Sequence, residues 1–398
     1  MNDMHTQLFD LVRHALDNLV YDNPLIEEEK QYVIARENGV SGLIYTILNK
    51  EKMSVKTYNH FQKDYYRFQA KDIIQQDTIS EISSICNDAN IKHIYLKGAY
   101  LKRIYPQSYM RAMGDIDMLV QKNDQDKIHQ LMLEHNFKNP INGPTHECFT
   151  KGKDVFIEIH PQIDLHFAKA HKDILNQVWD EVICVSDYEY YLSLEHNLLY
   201  LLSHLSKHLL SSGIGLRQVL DIGIFLNRHE NEIDIQKVKV LLGLTGLDLF
   251  MQNMAWLNNR YFGFKSSDIF LNNFHEDESF YEEITAFIMA SGIHGKADDF
   301  NRSIPAITKV SLKNNTVKKS RIKYLFSVMF QKYEDMAPTR PYLQKYPVLL
   351  PFAWVARWFK LIFRQTKRSI RKIKALTVNQ DVLNKQFELF KKLGLPKK

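Results

Sequence analysis

Asp115 and Asp117 stand one residue apart in Gly114-Asp-Ile-Asp-Met-Leu-Val120, an apolar run that reads as a short strand. Side chains alternate along a strand, so both carboxylates share one face while Ile116, Met118 and Val120 point into a core. Adjacent carboxylates repel one another, and burial adds a desolvation cost. A cation offsets both, and hard oxygen donors of this kind suit Mg²⁺. For an isolated pair, an Asx turn or a solvated strand end is the better reading. The neighbouring residues reverse that preference.

Upstream, Ile91–Leu96 reads as a strand, Lys97-Gly98-Ala99 ends it, and Ala99–Tyr105 reads as a helix stopped by Pro106. A strand, a glycine and a helix start make a seat for phosphate, with Lys97 adding a point charge. Taken alone, Lys-Gly is equally a tight turn. Downstream, Glu147–Thr150 and Val155–His160 read as a hairpin turning at Lys151–Asp154. Phe156, Glu158 and His160 share one face of its second strand; Val155, Ile157 and Ile159 share the other. Glu158 is then either a solvated acid or the third metal ligand, with Asp154 and Asp164 as alternatives for that third place.

The elements that position these residues change character along the chain. Residues 1–90 read as helical, with segments near residues 8–19, 27–48 and 55–89. There Tyr65, Tyr66 and Phe68 read as packing residues. Asp124–His135 reads as a helix and residues 138–145 as a loop. Beyond about residue 167 the pattern is helical again. Tyr191–Leu210 carries Tyr200, His204 and His208 on one face, where packing or substrate contact fits better than metal because no H-E-x-x-H context is present. Gly213-Ile-Gly215 breaks that helix. Leu216–Asn227 follows, with Arg217 and Asp221 spaced to pair with each other. Further helices fall in 233–262 and 278–291, and residues 292–320 look loop-rich. This divides the chain into a helical N-terminal region (1–90), a core (91–170), a helical accessory domain (171–335) and a basic tail (336–398).

The chain of 398 residues is 45% apolar and 25% charged, ordinary for a folded protein and long enough for more than one core. The net charge is only +6, but from Ala337 to Gln380 there is no acid at all. Arg340, Lys345, Arg357, Lys360, Arg364, Lys367, Arg368, Arg371, Lys372 and Lys374 all fall in that stretch. Such a tail can meet anionic lipid or RNA. Val355, Trp358, Phe359, Ile362, Ile370 and Ile373 give it an apolar face, which suits a membrane surface or docking on the protein itself, with docking preferred. Cys86, Cys148 and Cys184 form neither a disulfide framework nor a zinc spacing, which points to a reducing compartment. The first residues lack the pattern of a signal peptide, and no stretch reaches the roughly 18 apolar residues of a membrane span. The expectation is a cytoplasmic protein, peripheral at the inner membrane surface if the tail binds lipid.

Taken as a set, Leu96-Lys-Gly-Ala-Tyr-Leu101, Tyr105-Pro106, Arg111, Gly114-Asp-Ile-Asp-Met-Leu-Val120 and Ile157-Glu-Ile-His160 resemble the bacterial uncharacterised nucleotidyltransferase family. That family lies within the superfamily that includes DNA polymerase beta. The resemblance covers about residues 91–230 and is specific in its first segment; His204, His208, Arg217 and Asp221 resemble a helical accessory region only weakly. It implies an α+β fold, a small mixed sheet with flanking helices. It also implies transfer of NMP from an NTP such as ATP to an acceptor hydroxyl, with two Mg²⁺ ions, or Mn²⁺ in their place, held by Asp115, Asp117 and Glu158. Lys97 and Gly98 would contact phosphate. Arg111 would do so too, or would pair with an acid. His160, His204, His208, Arg217 and Asp221 are candidate substrate contacts. The chain departs from the superfamily in having Lys97-Gly98 where Gly-Gly or Gly-Ser is usual, in a longer gap from Gly98 to Asp115, and in Glu158 where Asp is commoner.

Three functions compete on these residues. The first is an active nucleotidyltransferase whose acceptor is unknown. The second is an RNA-modifying toxin-type transferase that grips RNA with its tail. The third is a non-catalytic nucleotide-binding or membrane-surface scaffold, which the retention of all three acids disfavours.

Overall fold

A computed structural model of the chain describes residues 3–142, 146–152, 155–163, 173–175, 177–211, 213–272, 274–292, 308, 326, 329–337, 340–363 and 380–395. Asp154 and Asp164, most of the 292–320 stretch and the basic residues 364–374 lie outside them. The architecture is α+β, as expected.

The N-terminal helices are α1 (Asp3–Leu16), α2 (Glu28–Glu37), α3 (Ser41–Ile44) and the long α4 (Val55–Asp88). Ser54 caps α4 by accepting from the Thr57 amide, satisfying one orphan donor of the first turn. The single helix expected over 27–48 is broken instead at Asn38-Gly39. Gly39 adopts φ 73°, a left-handed conformation that a glycine takes without cost.

One seven-stranded sheet runs in the order β3-β4-β5-β2-β1-β7-β6 among the described residues. Its strands are β1 (His93–Tyr95), β2 (Ile116–Val120), β3 (Lys138–Asn142), β4 (Glu147–Lys151), β5 (Val155–His160), β6 (Ile183–Ser186) and β7 (Glu189–Tyr191). β2 lies at the centre, parallel to β5 and antiparallel to β1. The β4/β5 hairpin forms as predicted.

Two strand regions differ from the expectation. Residues 138–142, read as loop, form edge strand β3 on β4. An edge tolerates Pro140, which lacks an N–H, and the register shifts between Lys138 and Ile141 accordingly. The region beyond residue 167 is not purely helical: β6 and β7 pair antiparallel, and β7 lies parallel to β1. Their Ile-Cys-Val and Glu-Tyr-Tyr segments have strand composition but are too short to stand out from the helical pattern around them.

Helices α5 (Lys97–Leu101) and α6 (Gln125–Glu134) flank β2 in sequence. Helix α5 begins two residues earlier than predicted and is only five residues long. Then come α7 (Leu194–Leu209), α8 (Leu216–Arg228), α9 (Ile235–Thr245), α10 (Asp248–Phe262) and α11 (Glu278–Ser291). The chain closes with α12 (Leu350–Phe363) and α13 (Gln380–Lys392).

Two cores sandwich the sheet. On one face Ile116, Met118, Val120, Ile157 and Ile159 pack with Ile79, Ile82 and Ile85 of α4 and with Ile128 and Met132 of α6. Each such side chain contributes about 1.5–3 kcal/mol relative to exposure. On the other, Ile94, Leu96 and Leu119 join a larger core built from α1–α3, the start of α4, α7–α11 and α13. The alternation of β2 therefore puts Asp117 on the same face as Leu119, the side of the larger core.

Helix α12 packs through Ala353, Trp354 and Trp358 on the segment just before it, around Met336, Ala337 and Leu343, in a cluster apart from both cores. The two indoles donate to the carbonyls of Gln331 and Met329 at 2.8 and 2.9 Å. Phe352, Val355 and Phe359 remain exposed on its outer side, as does Val348 in the turn just before it. Most of the basic residues on which the expected solvated basic face rests, 364–374, lie outside the described residues. No helix among the described residues is long and apolar enough to cross a membrane.

Candidate active site

Asp117 is almost fully buried, and its register partner across the parallel β2/β5 pair is Glu158. Asp115 lies one residue before β2 begins, at its entry and not within it. Lys97 follows β1 with φ 45°, a left-handed backbone that costs a residue with a side chain about 1–3 kcal/mol. Its ammonium Nζ donates to Asp117 Oδ1 at 2.7 Å. His160 Nε2 donates to the same oxygen at 3.0 Å and lies 3.5 Å from Glu158 Oε2. The phenol of Tyr200, on α7, lies close enough to Lys97 for the two to act on each other's charge.

These contacts set the charges. Burial alone would raise the Asp117 carboxyl, but Lys97 and His160 overcome it and hold the group far below the usual carboxylate range. Burial opposes the Lys97 ammonium, yet Asp117 keeps it charged. Burial likewise opposes the His160 imidazolium, and the hydrogen bonds to Asp117 and Glu158 raise its proton affinity on balance. The His160 hydrogen bond holds Glu158 ionised. Asp115 goes the other way. Burial, then repulsion from Asp117, raises it; Lys97 opposes this and Glu158 adds to it.

When ionised, the three carboxylates of Asp115, Asp117 and Glu158 carry one more charge than Lys97 and a protonated His160 together balance. An oxygen of Asp117, an oxygen of Glu158 and a nitrogen of His160 all lie within 4.8 Å of one another. Hard carboxylate oxygens in surplus over nearby cations fit a divalent metal.

Arg111 takes the second of its two expected roles. Its guanidinium makes a two-point contact with Asp221 of α8, at 2.8 and 3.2 Å, inside the protein. Tyr105 donates to the same carboxylate at 2.8 Å. Asp221 is therefore engaged by Arg111 and not by Arg217, the partner its spacing predicted. Arg217 instead donates to the Ala112 carbonyl at 2.7 Å. Burial, and then Arg111 beside it, lowers its pKa to about 10. Gly98 has a packing reason to be glycine: a Cβ there would meet Arg111 Nη1 at 2.5 Å and Met113 Sδ at 2.7 Å.

His204 and His208 meet edge to face along α7 with their Nε2 atoms 3.0 Å apart. Burial, then the charge of Lys97, keeps both neutral, with His208 lowered to about 4. The pair faces the site as hydrogen-bonding groups, and no third ligand joins it among the described residues.

Sequence reasoning missed His146 and Cys148. They alternate on the face of β4 that meets Glu158, with Cys148 directly opposite it. The two-residue spacing was the available signal.

A family model described as an uncharacterised nucleotidyltransferase matches residues 24–263, more than half of the chain, and the chain belongs to that family. The match begins well upstream of the motifs, taking in α2–α4. No curated protein and no solved structure matches the chain.

Proposed function

We propose that the chain transfers an NMP group from an NTP to an acceptor hydroxyl, with Asp115, Asp117 and Glu158 holding two Mg²⁺ ions. The observation that carries this reading is the pairing of Asp117 with Glu158 across β2 and β5, with Asp115 two residues before Asp117 and Lys97 anchored on Asp117. When bound, the cations would neutralise the triphosphate and lower the proton affinity of the acceptor hydroxyl.

The chain's own residues would do the positioning. Lys97, held by Asp117, presents its charge to the phosphates. Glu158, kept ionised by His160, accepts the proton of the acceptor hydroxyl. The acceptor oxygen forms a bond to the α-phosphorus as the α–β bridging bond breaks, and pyrophosphate leaves. The neutral His204/His208 pair offers hydrogen bonds to substrate without adding repulsion to Lys97. Arg111, Tyr105 and Asp221 tie the segment before β2 to α8 and so hold Asp115 in place.

The test is incubation with each α-labelled NTP, Mg²⁺ or Mn²⁺ and a cell extract, using the whole chain. Label should enter an acceptor with the native protein and not with Asp115→Asn or Asp117→Asn. Transfer that survives either change overturns the reading.

A further inference from the structure

We infer that His146, Cys148 and Glu158 form a second metal site, one that takes a transition ion of the Zn²⁺ class. One ligand atom from each, the imidazole nitrogen, the thiol sulfur and a carboxylate oxygen, lies within 4.8 Å of the other two. The strand register fixes two of the three, and His146 stands just before β4. Cys148 and Glu158 are directly opposed across the antiparallel β4/β5 pair, and His146 lies two residues before Cys148. All three are partly exposed, so an ion can reach them.

The donor chemistry separates this site from the catalytic one. Thiolate and imidazole are poor ligands for Mg²⁺ and good ones for Zn²⁺. Three protein ligands leave the fourth tetrahedral position open. Cys148 would give up its thiol proton to solvent on binding, and no electron transfer is involved.

Glu158 is shared between the two sites, one oxygen each way. Its Oε1 lies 3.7 Å from His146 Nε2, while its Oε2 lies 3.5 Å from His160 Nε2 beside Asp117. An ion on the His146 side draws charge from the carboxylate on which the proposed transfer depends. That consequence rests on the transferase reading; the site itself does not.

The test uses the full chain and Co²⁺ alone. Co²⁺ should produce the near-ultraviolet charge-transfer band of a cobalt–thiolate bond. The band should vanish in Cys148→Ser and persist in Cys184→Ser, and His146→Gln should weaken Co²⁺ binding by at least about tenfold. A second measurement needs no variant: Zn²⁺ should slow alkylation of Cys148, read by mass spectrometry, and leave exposed Cys184 unaffected. Absence of the band, its survival in Cys148→Ser, or unchanged alkylation of Cys148 overturns the proposal. These readouts are independent of nucleotide transfer, so the failure of one proposal is distinguishable from the failure of the other.

Discussion

Arg111 and Asp221 meet through two hydrogen bonds, 2.8 and 3.2 Å long, in a buried contact that joins the segment before β2 to helix α8. Asp221 raises the Arg111 guanidinium against the opposing effect of burial. Removing one partner strands a buried charge. Arg111→Ala should therefore cost about 3–5 kcal/mol of stability, whereas Arg111→Met with Asp221→Leu should cost far less. Urea unfolding of the single and double variants checks this. Additive losses would show that the two residues are not coupled.

Lys97 supplies the positive charge that Asp117 holds. Lys97→Met should destabilise the metal-free protein by about 3 kcal/mol, because His160 alone is left to balance a buried carboxylate. Added Mg²⁺ should then raise the melting midpoint more in Lys97→Met than in the native chain, since the cation replaces the missing ammonium. An equal or smaller Mg²⁺ response in the variant would show that the cation does not bind at Asp117.

Asp115 gives a prediction of opposite sign. Burial, then repulsion from Asp117, raises its carboxyl, so its folded form favours the proton more than its unfolded form does. This group contributes stability when protonated and loses it as pH rises through the carboxylate range. Asp115→Asn should accordingly raise the melting midpoint at neutral pH while abolishing transfer. A lower midpoint would remove the charge-surplus argument for a cation.

The strand carrying Asp117 and the hairpin carrying Glu158 were legible because period-two alternation is a local signal. It correctly set both acids apart from the isoleucines behind them. The Arg111–Asp221 pair was not legible, because its partners are 110 positions apart and a nearer match existed at Arg217. Spacing along one helix offers a partner; only packing of α8 against the sheet decides which cation arrives. Strands β6 and β7 were hidden by brevity, since three or four residues cannot establish a period. His146 and Cys148 were readable in principle, from their alternation and the hairpin register, but neither has a sequence motif to draw attention to it.

His208 should govern part of the acid stability. Burial, then Lys97, lowers its pKa to about 4 from an ordinary value near 6.5. Between those values the unfolded chain binds a proton that the folded chain refuses, so stability falls as pH drops through that window. The slope is about 1.4 kcal/mol per pH unit for one proton. His208→Gln should flatten the dependence between pH 6.5 and 4 in urea titrations. An unchanged slope would assign the acid sensitivity elsewhere.

The outer side of α12 leads to the last prediction. Val348, Phe352, Val355 and Phe359 recur at helical spacing and are 81, 71, 43 and 58% exposed. The opposite side is already used, with Trp354 and Trp358 anchored to backbone carbonyls. The stripe lies in a stretch from Ala337 to Gln380 that has ten cations and no acid, so its charge complements an anionic lipid surface. The full chain should co-sediment with vesicles containing anionic phospholipid and not with neutral ones, and salt should weaken the binding. Phe352→Glu and Phe359→Glu should each reduce binding at least about tenfold, because each replaces an exposed ring available to insert into lipid with a charge the surface repels. Concentration-dependent dimerisation lost in the same variants would instead make the stripe a contact between copies. Salt-sensitive RNA binding without vesicle binding would assign the tail's charge to nucleic acid.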